Sequence, residues 1–101
     1  MNETTAVPAL AALAQESRLA TFRLLVQAGP EGLVVAQIAE VLGIPLTTLS
    51  FHLRTLAQAG LVRSQQEGRF VRYVAEFAAM NALIGYLTEN CCQGQPCGPV
   101  C

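Results

Sequence analysis

The sequence predicts a mainly α fold carrying one small β-hairpin, and three observations predict it. Residues 31–62 hold two short apolar-periodic segments joined by a Gly-containing turn, the pattern of a helix-turn-helix. Directly after them, "LVRSQ" and "FVRYVA" are rich in β-branched and aromatic residues and flank "QEG", which reads as a hairpin with glycine at its turn. Residues 76–90 then return to helical period. The order helix, helix, helix-turn-helix, hairpin, helix is that of a winged helix-turn-helix.

Along the chain, residues 6–14, "AVPALAALA", form a short Ala/Leu-rich helix with Pro8 suited to its first turn. Ser17 is placed to begin a second helix, in which Leu19, Phe22, Leu25 and Val26 recur at helical spacing until Gly29-Pro30 stops it. The third carries Val34 or Val35, Ile38, Ala39 and Leu42, and Gly43 ends it. "GIPL" is a tight turn, and Thr47 or Thr48 is placed as the N-cap of the fourth helix. Its stripe is Leu49, Leu53 and Leu56, closed by Gly60. The last helix carries Phe77, Met80, Leu83 or Ile84, and Leu87.

At 101 residues the chain makes one small domain. Its apolar fraction is 52% and its charged fraction 13%, which excludes a disordered chain and exceeds what a lone core of this size needs. A homodimer is the expected supplement. No apolar run approaches the roughly 20 residues of a membrane span, and "MNETTAVPAL" lacks the pattern of a signal peptide. A cytoplasmic protein without membrane contact is expected. Residues 1–90 read as the winged helix-turn-helix and dimerisation domain, and residues 91–101 as a separate tail.

The formal net charge is −1, but it is unevenly spread. There is no Lys, and Arg54, Arg63, Arg69 and Arg72 face only Glu67 between residues 45 and 75, so four Arg minus one Glu leaves +3 there. Arginine suits phosphate and guanine best. On a helical wheel of about 100° per residue, Leu49, Leu53 and Leu56 lie within about 60° of one another. Opposite them lie Thr47, Phe51, Arg54, Thr55 and Gln58, flanked by Thr48 and Ser50. Such a face suits a major groove: Arg to guanine, hydroxyls to phosphates or bases, an apolar ring to a thymine methyl. An ordinary solvated face is the plain alternative, and Phe51 packed under the wing is another. His52 sits at the edge of the apolar stripe, where a partly buried, hydrogen-bonded role competes with a phosphate contact. Arg63, Arg69 and Arg72 belong to the wing, with Arg69 at its tip beside Gly68 and placed for backbone or minor-groove contact.

All four cysteines lie in "ENCCQGQPCGPVC", at Cys91, Cys92, Cys97 and Cys101. Clustered thiols in a reducing compartment more often bind metal or sense redox state than staple a fold. A disulfide within so short a segment closes only small loops. Zinc, soft metalloids and thiol oxidation all remain open at this point. An enzyme is not expected: the chain has no Asp, no Gly-rich phosphate loop and no nucleophile–base constellation, and its single His lies in the reading helix.

The stretch "TTLSFHLRTLAQAGLVRSQQEGRFVRY" closely resembles the ArsR/SmtB family of metal-responsive repressors, through "LSFHL", "L..AGLV", "EGR" and Tyr73 in order. "ESRLATFRLL" resembles that family's second-helix segment, and the resemblance covers roughly residues 8–88. It implies a homodimer paired through the first and last helices that binds double-stranded operator DNA, for which the wheel and the wing offer Thr47, Thr48, Ser50, Phe51, His52, Arg54 and Arg69. It implies no required cofactor. The family's common arsenic site, a Cys-x-Cys before the reading helix, has "GLVVAQIA" in its place; its common zinc site on the last helix has no His or Asp here. The tail resembles that of variant arsenical repressors with an adjacent Cys pair and a third Cys a few residues on. The resemblance thus implies trivalent arsenic as effector, with antimonite and methylarsenite in the same chemical class, held by Cys91, Cys92 and Cys97 with Cys101 as a further candidate. A thiol-redox repressor and a zinc-binding repressor using the same cysteines are the alternatives.

Overall fold

The computed structural model describes residues 1–94. Helix α1 spans Glu3–Leu13 and α2 spans Glu16–Ala28. A 3-10 turn at Gly29–Glu31 leads to the two-residue strand β1, Leu33–Val34. Then follow α3 (Val35–Leu42), α4 (Leu46–Gln58), β2 (Val62–Glu67), β3 (Phe70–Ala75) and α5 (Phe77–Leu87). The expected mainly α winged helix-turn-helix is what forms.

Several boundaries differ from expectation, each for a local reason. Helix α1 starts earlier because Asn2 and Thr5 form a reciprocal capping box: Asn2 Oδ1 accepts from the Thr5 amide, and Thr5 Oγ1 accepts from the Asn2 amide, both at 3.2 Å. Pro8 therefore lies inside the helix, not in its first turn. The Gln15 side chain caps α2 by accepting from the Arg18 amide at 2.8 Å, so α2 begins ahead of Ser17. The N-cap of α4 is Pro45 rather than Thr47 or Thr48, because the Pro45 carbonyl accepts the first helical bond, from the Leu49 amide at 2.9 Å. Both threonines thus stand in the first turn of α4, exposed.

The core joins Ala6, Ala9 and Ala12 of α1, Phe22 and Leu25 of α2, Ile38 of α3, and Leu49, Leu53 and Leu56 of α4. Thr21, the buried polar residue there, donates its hydroxyl to the Ser17 carbonyl at 2.7 Å. Arg18 Nε donates to the Ala12 carbonyl at 2.6 Å, tying the end of α1 to the start of α2. Gly43 takes the left-handed conformation and ends α3. After α4 the Leu61 amide returns to the Leu56 carbonyl at 3.0 Å, while the Leu61 carbonyl accepts the Glu76 amide at 2.8 Å. The end of the reading helix is thereby fastened to the start of α5.

The three strands run in the order β1-β3-β2, all antiparallel. Strands β2 and β3 pair from Val62↔Ala75 out to Glu67↔Phe70, joined by the two-residue loop Gly68-Arg69. Strand β1 was not expected from the sequence. It pairs Leu33↔Tyr73 and Val34↔Arg72, and the backbone reaches β3 only because Gly32 has no side chain. A Cβ there would stand 2.1 Å from the Tyr73 carbonyl oxygen.

Candidate nucleic-acid interface

Helix α4 presents two opposite faces. Leu49, Leu53 and Leu56 are completely buried, which holds the helix against α2 and α3. Thr47, Thr48, Ser50, Phe51, Arg54 and Gln58 are exposed, with Thr55 half-buried. This is the face expected from the wheel, and it carries no acidic residue. Thr55 donates its hydroxyl to the Phe51 carbonyl at 3.2 Å, so the Thr55 hydroxyl is partly committed to the helix itself.

Phe51 is 62% exposed and therefore does not pack under the wing. His52 is half-buried, as expected, but its hydrogen-bonded role is not seen. Its Nδ1 is buried without a hydrogen-bond partner among the described residues. The rings of Phe51 and His52 meet edge to face, with centroids 6.4 Å apart and planes at 70°.

The wing arginines divide into two kinds. Arg63 forms an ion pair with Glu76 at the start of α5. Arg72 pairs with Glu67 at 2.9 Å and also donates to the Glu31 carbonyl at 3.1 Å. Arg69, at the tip, and Arg54, on α4, have no ion-pair partner among the described residues. Of the wing arginines expected to contact DNA, only Arg69 keeps its charge uncommitted. The sequence could not show this, since Arg63 and Glu76 lie 13 residues apart and meet through the hairpin's return.

Two residues were missed as surface features. Leu46 is 56% exposed and Phe70 is 57% exposed. Together with Ser50, Arg69, Val35 and Val71 they line a cleft of about 280 Å³ between α4, the start of α3 and the wing tip. The signal was available: "GRF" puts an aromatic residue at the first strand position after the turn.

At the far end, a short 3-10 segment, Cys91–Gly94, follows α5. Asn90, Cys92 and Gln93 take positive φ values of 57°, 53° and 56°, turning the chain sharply. Cys91 and Cys92 are both in disulfide linkage, and their own two sulfurs stand 3.8 Å apart, too far for a bond to each other. The remaining expected ligands, Cys97 and Cys101, lie outside the described residues. Among the described residues no helix is long and apolar enough to cross a membrane.

A helical core, a fourth helix with an exposed polar face, and a hairpin with a cationic tip define a winged helix-turn-helix protein. A family model described as "Helix-turn-helix domain" matches residues 13–65. The chain belongs to that helix-turn-helix family, and the proteins it is similar to are transcriptional regulators. It is 41% identical over 64 residues to YceK of Bacillus subtilis (strain 168), an uncharacterized HTH-type transcriptional regulator. That match spans 63% of this chain and 62% of YceK, less than two thirds of the relative. Among solved structures, an ArsR-like transcriptional regulator from Rhodococcus sp. RHA1 superposes with a TM-score of 0.73 at 28% identity, covering 83% of this chain and 76% of that one. A homodimeric winged helix-turn-helix DNA-binding domain from Mycobacterium bovis superposes with a TM-score of 0.68 at 28% identity, covering 91% and 85%.

Proposed function

We propose that the chain is a homodimeric transcriptional repressor that binds operator DNA and is released when a trivalent arsenical binds its C-terminal thiols. The observation that carries the DNA-binding part is the outward face of α4. It is exposed except at half-buried Thr55, free of carboxylates, and framed by Arg54 and Arg69, neither of them in an ion pair among the described residues. A surface built only for solubility would more often mix both signs of charge. The face has the shape and chemistry of a major-groove reader, with Arg69 reaching the flanking backbone from the wing.

Dimerisation rests on apolar side chains that the monomer leaves uncovered. Val7 and Leu10 on α1, and Ile84 and Leu87 on α5, are exposed, and α1 and α5 are in contact with each other. Their combined surface is where a second copy of the chain would pack, and the similar domain from Mycobacterium bovis is homodimeric. Two reading helices then face two operator half-sites.

The effector reading rests on the cysteines. Cys91 and Cys92 are adjacent just beyond α5, so once reduced both thiolates can reach one small soft centre, and soft thiolates select such ions. Arsenite carries three hydroxyl groups. Three thiols displace them, each releasing one water and forming one As–S bond, with no change in oxidation state. Cys97 supplies the third sulfur, and Cys101 stands as the auxiliary candidate. Thiols are required, so the cysteines must be reduced before they bind. Because the tail continues from α5, binding there biases the dimer helix. Release of DNA then follows if the liganded geometry no longer matches the half-site spacing.

The same requirement raises a second reading. Cys91 and Cys92 in disulfide linkage are what an oxidised sensor would show, with the oxidation state of the tail as the signal. Fluorescence anisotropy of labelled operator separates the two. Arsenite added to the reduced dimer should release DNA, and Cys91→Ser, Cys92→Ser and Cys97→Ser should each abolish that response. Release by oxidant alone, with arsenite inert on the reduced protein, would establish the redox input instead.

A further inference from the structure

The centre of the outward face of α4 is an aromatic ring, and the fold does not need it there. At about 100° per residue, Thr47, Thr55 and Gln58 lie within about 40° of Phe51, and Thr48 and Arg54 within about 60°. Phe51 is 62% exposed, while Leu49, Leu53 and Leu56, fully buried, already complete the helix's core face. A phenyl ring largely in water at the middle of a polar ridge gives the monomer little burial. It also lies on a different helix from the exposed apolar residues of α1 and α5. Leu46 and Phe70 belong to the cleft beside the wing, about 140° round the helix at Leu46, and face a different part of any bound duplex. The edge-to-face contact with His52 restrains the ring without covering its outer edge.

In the major groove, the four base pairs differ in their donors and acceptors, and thymine alone adds an apolar group, its C5 methyl. A phenyl ring neither donates nor accepts a conventional hydrogen bond. Set against a guanine, cytosine or adenine edge, it would strip water from polar atoms and return nothing, which costs free energy. Set against a thymine methyl, it buries apolar surface on both sides. We infer that Phe51 reads a thymine C5-methyl group in each operator half-site and is the residue that selects thymine at that position. The inference rests on the DNA-binding reading above.

The experiment begins with duplexes selected by the wild-type dimer from a random-sequence pool. The enriched duplex is then made with thymidine or with deoxyuridine at one position at a time. Deoxyuridine keeps every hydrogen bond of thymidine and lacks only the methyl. At fixed salt, one substitution per half-site should raise the dimer's Kd about fifteenfold, about fourfold for each of the two buried methyl groups removed, with the effect concentrated at a single position. Phe51→Ala should bind both duplexes equally, with its melting temperature preserved, and Phe51→Leu should keep part of the discrimination. Equal affinity of the wild type for both duplexes at every position would overturn the inference and leave DNA binding intact. So would a Phe51→Ala protein that still discriminates them. A wild-type dimer that enriches no sequence would overturn the DNA-binding reading and the inference together.

Discussion

Helices α4 and α5 both carry an apolar stripe, yet only the stripe of α4 is covered by its own chain. Leu49, Leu53 and Leu56 of α4 are all fully buried. Of the apolar residues of α5, only Leu83 is buried, and Ile84 and Leu87 remain 53% and 58% exposed. The outward face of α4 can therefore be wholly polar or functional, because its inward face already secures it. The outward face of α5 stays apolar and needs another surface. The contrast separates the two tasks proposed for the protein: α4 meets DNA, and α5 meets a second subunit.

Breaking the completed side should have the largest effect. Leu53→Ala removes a fully buried side chain and should cost about 3 kcal/mol of stability, cavity included. Thermal or urea unfolding followed by circular dichroism measures it. Replacing the uncovered side should act on assembly instead. Ile84→Glu puts a charge on the exposed stripe, so sedimentation equilibrium should show the dimer weakened at least about tenfold, equivalent to 1.4 kcal/mol. The isolated chain should keep its helical signal, since Ile84 contributes little to the monomer core. An Ile84→Glu protein that stayed dimeric would move the subunit contact away from α5.

The smallest effect sharpens the division within the wing. Arg69→Ala should weaken binding to all DNA sequences alike and reduce the slope of log K against log salt by about one per subunit. Arg72→Ala should leave that slope nearly unchanged, since its guanidinium is held by Glu67 and the Glu31 carbonyl. Its loss should cost the fold no more than about 1 kcal/mol, as is usual for exposed ion pairs. Equal slopes for the two variants would mean that the ion pair opens when DNA arrives.

Much of this was legible in the sequence. The spacing of Leu49, Leu53 and Leu56 fixed both the buried and the outward face of α4, because helical period is a local property. The hairpin was legible from "QEG" as well, but its register was not: Gln66 and Glu67 belong to β2, and the turn is Gly68-Arg69. What escaped were features decided by contacts between distant segments. Strand β1 exists only because Tyr73 and Arg72 come back to meet Leu33 and Val34. The commitment of Arg63 and Arg72 depends on which carboxylate the fold brings beside each. The cap of α4 moved from the threonines to Pro45 because a backbone carbonyl, not a side chain, set the first helical bond. In the tail, the positions of Cys91 and Cys92 at the end of α5 were legible, whereas their disulfide linkage was not.

The sheet order β1-β3-β2 also leaves β2 as an outer strand with one open side. Its residues from Arg63 to Glu67 are all polar or charged and all exposed. An open strand edge is a template on which other chains can stack without limit, and charged side chains along it discourage that. For a protein proposed to find its own copy through helices, this matters: a polar hairpin margin keeps self-recognition finite, ending at two subunits instead of growing into a fibre.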